Sequence, residues 1–145
     1  MILELLSEER IIINLSAKDF RSAIHALVSR SSVRQDHSII DAIMHREKLM
    51  TTGLGKGAAL PRIHTDQVRT PEMVIGTSPS GLNCGSIDRK PVQIVFVHIF
   101  PASEPGAALL GQSLRLLNDD NLRQELIKAP TPLDILHLIE RWERA

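Results

Sequence analysis

Apolar and polar positions along the chain follow two different periods, and the change between them predicts an α/β fold. Short runs rich in β-branched residues predict strands at 11–15, 72–78 and 92–100. The third run, closed by Pro101, has the continuous apolar character of a buried central strand, and Pro79-Ser80-Gly81 predicts a turn after the second. Apolar residues spaced three and four apart predict helices at 16–30, 36–50, 107–117, 122–128 and from 131 onward.

Capping residues define where two of these helices are expected to begin. Ser16 with Asp19 three residues later resembles a capping box, which places the start of the first helix near Ser16 and its end near Arg30. Thr131 is the expected N-cap of the last helix, with Pro132 at its first position. The 107–117 helix is apolar enough to be largely buried. The stripes expected to face the core are Phe20, Ile24, Leu27 and Val28 in the first helix, Ile39, Ile40, Ile43 and Met44 in the second, and Leu133, Leu136, Ile139 and Trp142 in the last.

Composition narrows the class of protein. The 145 residues, 43% of them hydrophobic, predict one folded domain spanning 1–145. Seventeen basic and seventeen acidic residues balance, and aromatic residues make up only 3%, so a nucleic-acid partner is not expected. The single cysteine, Cys84, suits a reducing cytoplasm, and no spacing of cysteine and histidine predicts a metal or cofactor. The N-terminus lacks the basic region of a signal peptide, and the longest apolar run is too short to span a bilayer, so direct membrane insertion is not expected.

The stretch 52–65 carries the candidate chemistry. Gly53, Gly55 and Gly57 stand at every second position, and such glycines allow the backbone to approach a ligand closely. Arg62 and His64 share a parity, so in an extended strand they point the same way, roughly 6.5 Å apart. A phosphoryl group or another anion is the expected ligand. The stretch is neither a Walker loop nor a Rossmann fingerprint, and a plain turn between a helix and a strand explains the glycines equally well.

Several segments of the chain match a known signature. They are Arg46-Glu47-Lys48-Leu49, Thr52-Gly53-Leu54-Gly55 and Gly57-Ala58-Ala59-Leu60-Pro61, followed by Ile75-Gly76, Gly81, the 86–92 segment, Pro101 and Leu117-Asn118-Asp119. Together they resemble the EIIA domains of the bacterial phosphoenolpyruvate-dependent phosphotransferase system, of the fructose, mannitol and nitrogen-regulatory type. The resemblance covers almost the whole chain. It implies a mixed sheet flanked by helices on both faces, and a histidine directly after the proline that accepts a phosphoryl group from the carrier HPr.

The chain departs from that family pattern at its centre. The residue after Pro61 is Arg62, and a guanidinium is always protonated and cannot attack phosphorus. The family's second active-site histidine, in the helix after the buried strand, also has no counterpart, because the corresponding segment is Gly106-Ala107-Ala108-Leu109. His64, two residues after Arg62, is a candidate acceptor, although it starts roughly 6.5 Å from the usual place.

Other residues complete the expected site. The resemblance places Arg46 near the phosphoryl group, where it would bind oxygen atoms, and Thr52 and Lys56 would add donors. His98 and His45 would line the site, or be respectively a hydrogen-bonded core histidine and a helix-surface residue.

Three functions remain open from the sequence. The first is a module for regulation or protein interaction that is not phosphorylated at the usual position, with HPr, a regulated protein or a transporter as its partner. The second is an active phosphoryl carrier that uses His64. The third is a small-anion binding domain built from Arg46, Arg62 and the three glycines.

Overall fold

The computed structural model describes residues 2–33, 37–49, 55–82 and 91–145. Two 3-10 turns, Leu3–Leu5 and Glu8–Arg10, precede the regular elements. The strands are β1 (Ile11–Ile12), β2 (Ala58–Ala59), β3 (Arg62–Thr65), β4 (Glu72–Leu82) and β5 (Val92–Pro101). The helices are α1 (Phe20–Val28), α2 (His37–Leu49), α3 (Ala107–Asn118), α4 (Asp120–Lys128) and α5 (Pro132–Arg144).

The five strands form one mixed sheet in which β5 is the central strand. β4 pairs with β5 in antiparallel fashion, and β1 adds to the other side of β4 in parallel. On its opposite side β5 pairs in parallel with β2 and, further along, with β3. β2 and β3 are therefore successive short segments alongside a single long strand, separated by Leu60 and Pro61.

Alternate residues of β5 face two separate apolar cores. Ile94, Phe96 and Phe100 pack with the helices α3, α4 and α5. Val95, Val97 and Ile99 pack with α1 and α2 on the opposite face. Because both faces are covered, β5 has the unbroken apolar character of a buried strand. The predicted α/β architecture, a mixed sheet flanked by helices on both faces, is confirmed.

The first strand and the first helix begin and end differently from the prediction. The strand stops at Ile12, because Asn14 has a φ of 53° and turns the chain before the Leu15 N–H donates to Thr77 O at 2.7 Å. The helix begins at Phe20, not near Ser16, since the N-cap is Asp19, whose carboxylate accepts from the Ser22 N–H at 2.8 Å. It ends at Val28, short of Arg30.

Three further expectations were wrong in detail. The turn predicted at 79–81 lies inside β4, which continues to Leu82 past a shift of register that follows Thr77. In α5, Ile139 is buried and Leu136 and Trp142 pack against the core as predicted, but Leu133 is 48% exposed and Ile135 is buried instead. In α3, which was expected to be largely buried, Ala107, Ala108 and Leu114 are exposed. The spacing of apolar residues located each helix, but tertiary packing determines which of its residues are buried.

Candidate functional site

Arg62 and His64 lie on the face of β3 that looks toward α3. Between them, Ile63 packs against the core formed with α1 and α2, so its two neighbours point to the other side of the sheet. Arg62 is the ladder partner of His98, and His64 is the partner of Phe100. The ring centroids of His64 and Phe100 are 5.2 Å apart. β3, β5 and the start of α3 therefore bring these side chains together.

His98 is fully buried beneath this face and is held by two hydrogen bonds. Its Nδ1 lies 3.1 Å from Phe96 O and its Nε2 lies 2.9 Å from Ser113 Oγ. A carbonyl oxygen only accepts, so Nδ1 carries the proton and Nε2 accepts from the Ser113 hydroxyl. Burial, together with the positive charge of Arg62, lowers the pKa of His98 to about 4, despite the hydrogen bond to Phe96. At neutral pH the imidazole is uncharged and both of its nitrogens are occupied.

Arg46 and Arg62 place two positive charges near each other. Burial and, secondly, the charge of Arg46 lower the pKa of the Arg62 guanidinium. Within the ranges that the structure describes, neither arginine forms a salt bridge. Two neighbouring guanidiniums without a carboxylate partner favour the binding of an anion from outside the protein. The oxygen atoms of a phosphate match the spacing of the paired N–H donors on each guanidinium.

The His64 ring is oriented by a backbone oxygen and by an aromatic neighbour. Its Nε2 lies 3.4 Å from Pro105 O, close to the start of α3. The N-cap of α3 is Gly106, with a φ of 72°, and a Cβ at this position would lie 2.6 Å from the Phe100 ring. A glycine is therefore required for α3 to begin so close to the ring against which His64 rests.

The glycine-rich segment lies at a different place along the sheet. Ala58 pairs with Ile94, whereas Arg62 pairs with His98, so about four strand positions, roughly 13 Å, separate them. Gly57 precedes β2, and its carbonyl oxygen accepts from the Gln93 and Ile94 N–H groups at 2.6 and 3.1 Å. Gly55, Lys56 and Gly57 consequently do not join Arg62 around a single ligand.

The remaining predicted residues are placed as follows. Lys56 Nζ donates to Asn118 Oδ1 at 3.2 Å, away from β3. The His45 side chain is exposed on α2, one residue before Arg46. Thr52 and Gly53 lie outside the described residues.

Sequence reasoning missed Ser113 and Pro105. The signal for Ser113 was present, because this serine stands four residues after Leu109 and three before Leu116 on the buried stripe of α3. A polar residue on such a stripe needs a buried partner. Pro105 acts through its carbonyl oxygen, and its residue type gives no indication of that contact.

Two kinds of feature were sought in the part of the chain that the structure describes, a cluster of metal-ligating side chains and a helix that could span a membrane. No cluster of three metal-ligating side chains is present among those residues. None of the helices described is long and apolar enough to cross a membrane.

Solved structures share almost all of this fold. The nitrogen regulatory protein IIA-Ntr from Neisseria meningitidis superposes with a TM-score of 0.85 at 20% identity, covering 95% of this chain and 98% of that one. Enzyme IIA for mannitol from Escherichia coli, determined in complex with phosphorylated enzyme IIB, gives a TM-score of 0.78 at 23% identity, with 93% and 96% covered. At these identities the likeness establishes the fold.

Sequence comparisons identify the family. A fructose-specific EIIA component from Haloferax volcanii is 30% identical over 104 residues, which are 70% of this chain and 68% of that protein. A nitrogen regulatory protein from Pseudomonas aeruginosa is 29% identical over 134 residues, 88% and 87% of the two chains. A fructose-specific EIIABC component from Bacillus subtilis is 26% identical over 99% of this chain, which spans about a quarter (24%) of that relative. The model of the family "Phosphoenolpyruvate-dependent sugar phosphotransferase system, EIIA 2" matches residues 4–142, so the chain belongs to this family of EIIA domains.

Proposed function

We propose that this EIIA domain acts in regulation or protein interaction and is not phosphorylated at the residue after Pro61. The observation that carries the proposal is the position of Arg62, on the accessible face of β3 directly opposite buried His98 in the ladder. A protonated guanidinium binds a phosphoryl group but does not attack phosphorus, because the electron pairs of its nitrogens are delocalised over the cation.

His98 does not replace the missing nucleophile in this proposal. The imidazole is neutral, but it is fully buried and both of its nitrogens are engaged, by Phe96 O and by Ser113 Oγ. An attacking nitrogen must be open to the phosphorus atom.

The charge of the site indicates the kind of partner. Arg62 and Arg46 present a fixed positive charge, so the site favours an anionic group on another protein, such as the phosphoryl group of a phosphorylated partner. The mannitol-type structure that shares this fold was determined with phosphorylated enzyme IIB. HPr, an enzyme IIB, a regulated protein or a transporter are accordingly the partners to test, and the proposal has the domain meet them in the cytoplasm.

The experiment compares partner binding with and without Arg62. Phosphorylated and unphosphorylated HPr, and likewise an enzyme IIB, would be titrated into the wild-type domain, Arg62→Ala and the control Arg69→Ala, which removes an exposed arginine after β3. We expect the phosphorylated form to bind more tightly, Arg62→Ala to weaken that binding about tenfold, and Arg69→Ala to change it little. Binding that survives Arg62→Ala undiminished would contradict the proposal.

A second candidate is phosphoryl transfer to His64, and one contact favours it. If the Nε2–H donates to Pro105 O, the electron pair of Nδ1 is free to attack. The phosphorus–nitrogen bond of phosphorylated HPr would break as a new bond to His64 Nδ1 forms. The carrier ring, protonated on its other nitrogen, would leave as an uncharged imidazole, and the positive charge would pass to the phosphorylated His64 ring, which then releases its Nε2 proton to water. This candidate requires that the acid-labile phosphohistidine be lost in His64→Ala and kept in His137→Ala, a change at an exposed position of α5. An unphosphorylated wild type would exclude it.

A further inference from the structure

A polar cavity of about 550 Å³ lies at the far end of the sheet from Arg62. It is open to solvent on one side and is bounded by the segment before β2, the end of β4, the start of β5 and the first turn of α4. Its volume falls in the range typical of sites for small organic molecules, well above that needed for one ion. Its lining includes Gly55, Lys56, Gly57, Gln93, Asp120 and Arg123.

Arg123 lines this cavity, and the charge of its buried guanidinium is incompletely compensated. The residue is only 7% exposed, and its Nη1 donates to Leu117 O at 2.6 Å while its Nη2 lies 2.9 Å from Asp120 Oδ1. Its Nε is buried and has no hydrogen-bond partner. A buried guanidinium supported by one exposed carboxylate is under-compensated, since leaving a charged donor unpaired costs free energy.

A second positive charge stands at the cavity. The Lys56 ammonium uses one of its three donors, toward Asn118 Oδ1. Asp120 is the acidic member of the lining and is already paired with Arg123, so the three charged side chains leave a net positive charge. An anionic group on a ligand would therefore be attracted.

The backbone on either side of Lys56 is held open by two glycines. Gly55 and Gly57 have φ values of 77° and 74°, in the left-handed region. A Cβ at Gly57 would lie 3.3 Å from Gln93 Oε1 and would narrow the cavity at that point. The Gln93 side chain donates to Pro79 O at 2.9 Å and so is fixed at the wall, where amide groups suit the hydroxyls of a ligand.

From these observations we infer that this cavity is a second binding site, separate from the Arg62 face, for a small organic anion with a phosphate or carboxylate head and a polar body. Lys56 and Arg123 bind the head, and Gln93 contacts the body. The site uses part of the glycine-rich segment that the Arg62 face leaves unused. It does not depend on whether the domain is phosphorylated.

The test is a nuclear magnetic resonance titration of the whole chain with inorganic phosphate, glycerol 3-phosphate and citrate. We expect saturable shifts of the Gly55, Lys56 and Gly57 amides, with glycerol 3-phosphate or citrate binding more tightly than inorganic phosphate. Tighter binding of glycerol 3-phosphate assigns a phosphate head, and tighter binding of citrate a carboxylate head. Absence of saturable shifts for all three probes, or no preference over inorganic phosphate, would overturn the inference.

Matched variants separate this site from the Arg62 face. Lys56→Met is expected to weaken binding about fivefold, whereas Lys128→Met, which removes an exposed lysine at the end of α4, leaves it unchanged. Arg62→Ala also leaves it unchanged, even if it abolishes partner binding. Equal weakening by Lys56→Met and Lys128→Met would show a non-specific charge effect and overturn the inference. Arg123→Lys keeps the positive charge but loses the paired N–H donors of the guanidinium, so it should weaken binding without unfolding the chain. The dispersion of the amide chemical shifts checks that the variant is folded.

Discussion

Arg62 and His98 face each other across the parallel ladder of β3 and β5, one partly exposed and always charged, the other buried and uncharged. The backbone N–H of His98 donates to Pro61 O at 2.9 Å, so the proline that precedes Arg62 is fixed to the same central strand. The position directly after Pro61 is therefore fixed to the central strand, and it presents a guanidinium. The proposed function, binding of an anion and not its covalent capture, rests on this pair.

Acid should destabilise the protein through His98. Its pKa is about 4 in the folded chain against an ordinary value of 6.5, so the unfolded chain binds more protons between these two values. The contribution of His98 to the free energy of unfolding is fully present above about pH 6.5. It is lost as the pH drops toward 4, by at most about 3 kcal/mol. Urea unfolding at a series of pH values would measure the effect. His98→Gln should flatten this part of the pH profile, whereas His137→Gln, at an exposed position of α5, should not. A His98 ring that titrates near 6.5 in the folded protein would refute the explanation.

Removing the hydroxyl of Ser113 should leave His98 Nε2 as a buried acceptor without a donor. Ser113→Ala is expected to lower the free energy of unfolding by about 1–3 kcal/mol, whereas Ser103→Ala, in the exposed segment before α3, should be nearly neutral. Urea unfolding gives the free energies, and ring ¹⁵N shifts report the tautomer. Retention of wild-type stability in Ser113→Ala, or an Nε2–H tautomer in the wild type, would contradict the hydrogen-bond assignment.

Two glycines of the α3 region should respond in opposite ways to alanine. Gly106→Ala adds a Cβ 2.6 Å from the Phe100 ring at a φ of 72°, and should cost about 1–3 kcal/mol. Gly111→Ala, inside α3 with its nearest atom at 3.8 Å, should stabilise the protein by about 0.5–1 kcal/mol. Thermal unfolding of both variants checks the contrast. Equal effects would mean that the entry into α3 is not restricted as described.

The sequence predicted the architecture well because the signals were long and consistent. The apolar run 92–100 could only be satisfied by cover on both faces, and β5 has that cover. The ends of elements were less predictable, since they depend on single contacts. Asp19, not Ser16, caps α1 because its carboxylate reaches the Ser22 N–H.

The candidate site was predictable only in part. The shared parity of Arg62 and His64 follows from strand geometry, and the structure has both on one face. That the glycine-rich segment lies about 13 Å away, beside Gln93, follows from register with β5, which no local pattern encodes. The contact between His64 and Pro105 O is of the same kind, because it joins residues 41 positions apart.

The most direct test of the central claim is the intact mass of the protein after incubation with phosphoenolpyruvate, enzyme I and HPr, measured at neutral to basic pH, where phosphohistidine survives. The proposed function predicts no added phosphoryl group on the wild type and one on Arg62→His, because the substitution returns an imidazole to a docking face that is otherwise intact. A wild-type chain that gains one phosphoryl group, lost in His64→Ala, would contradict it and identify an active carrier with a displaced acceptor.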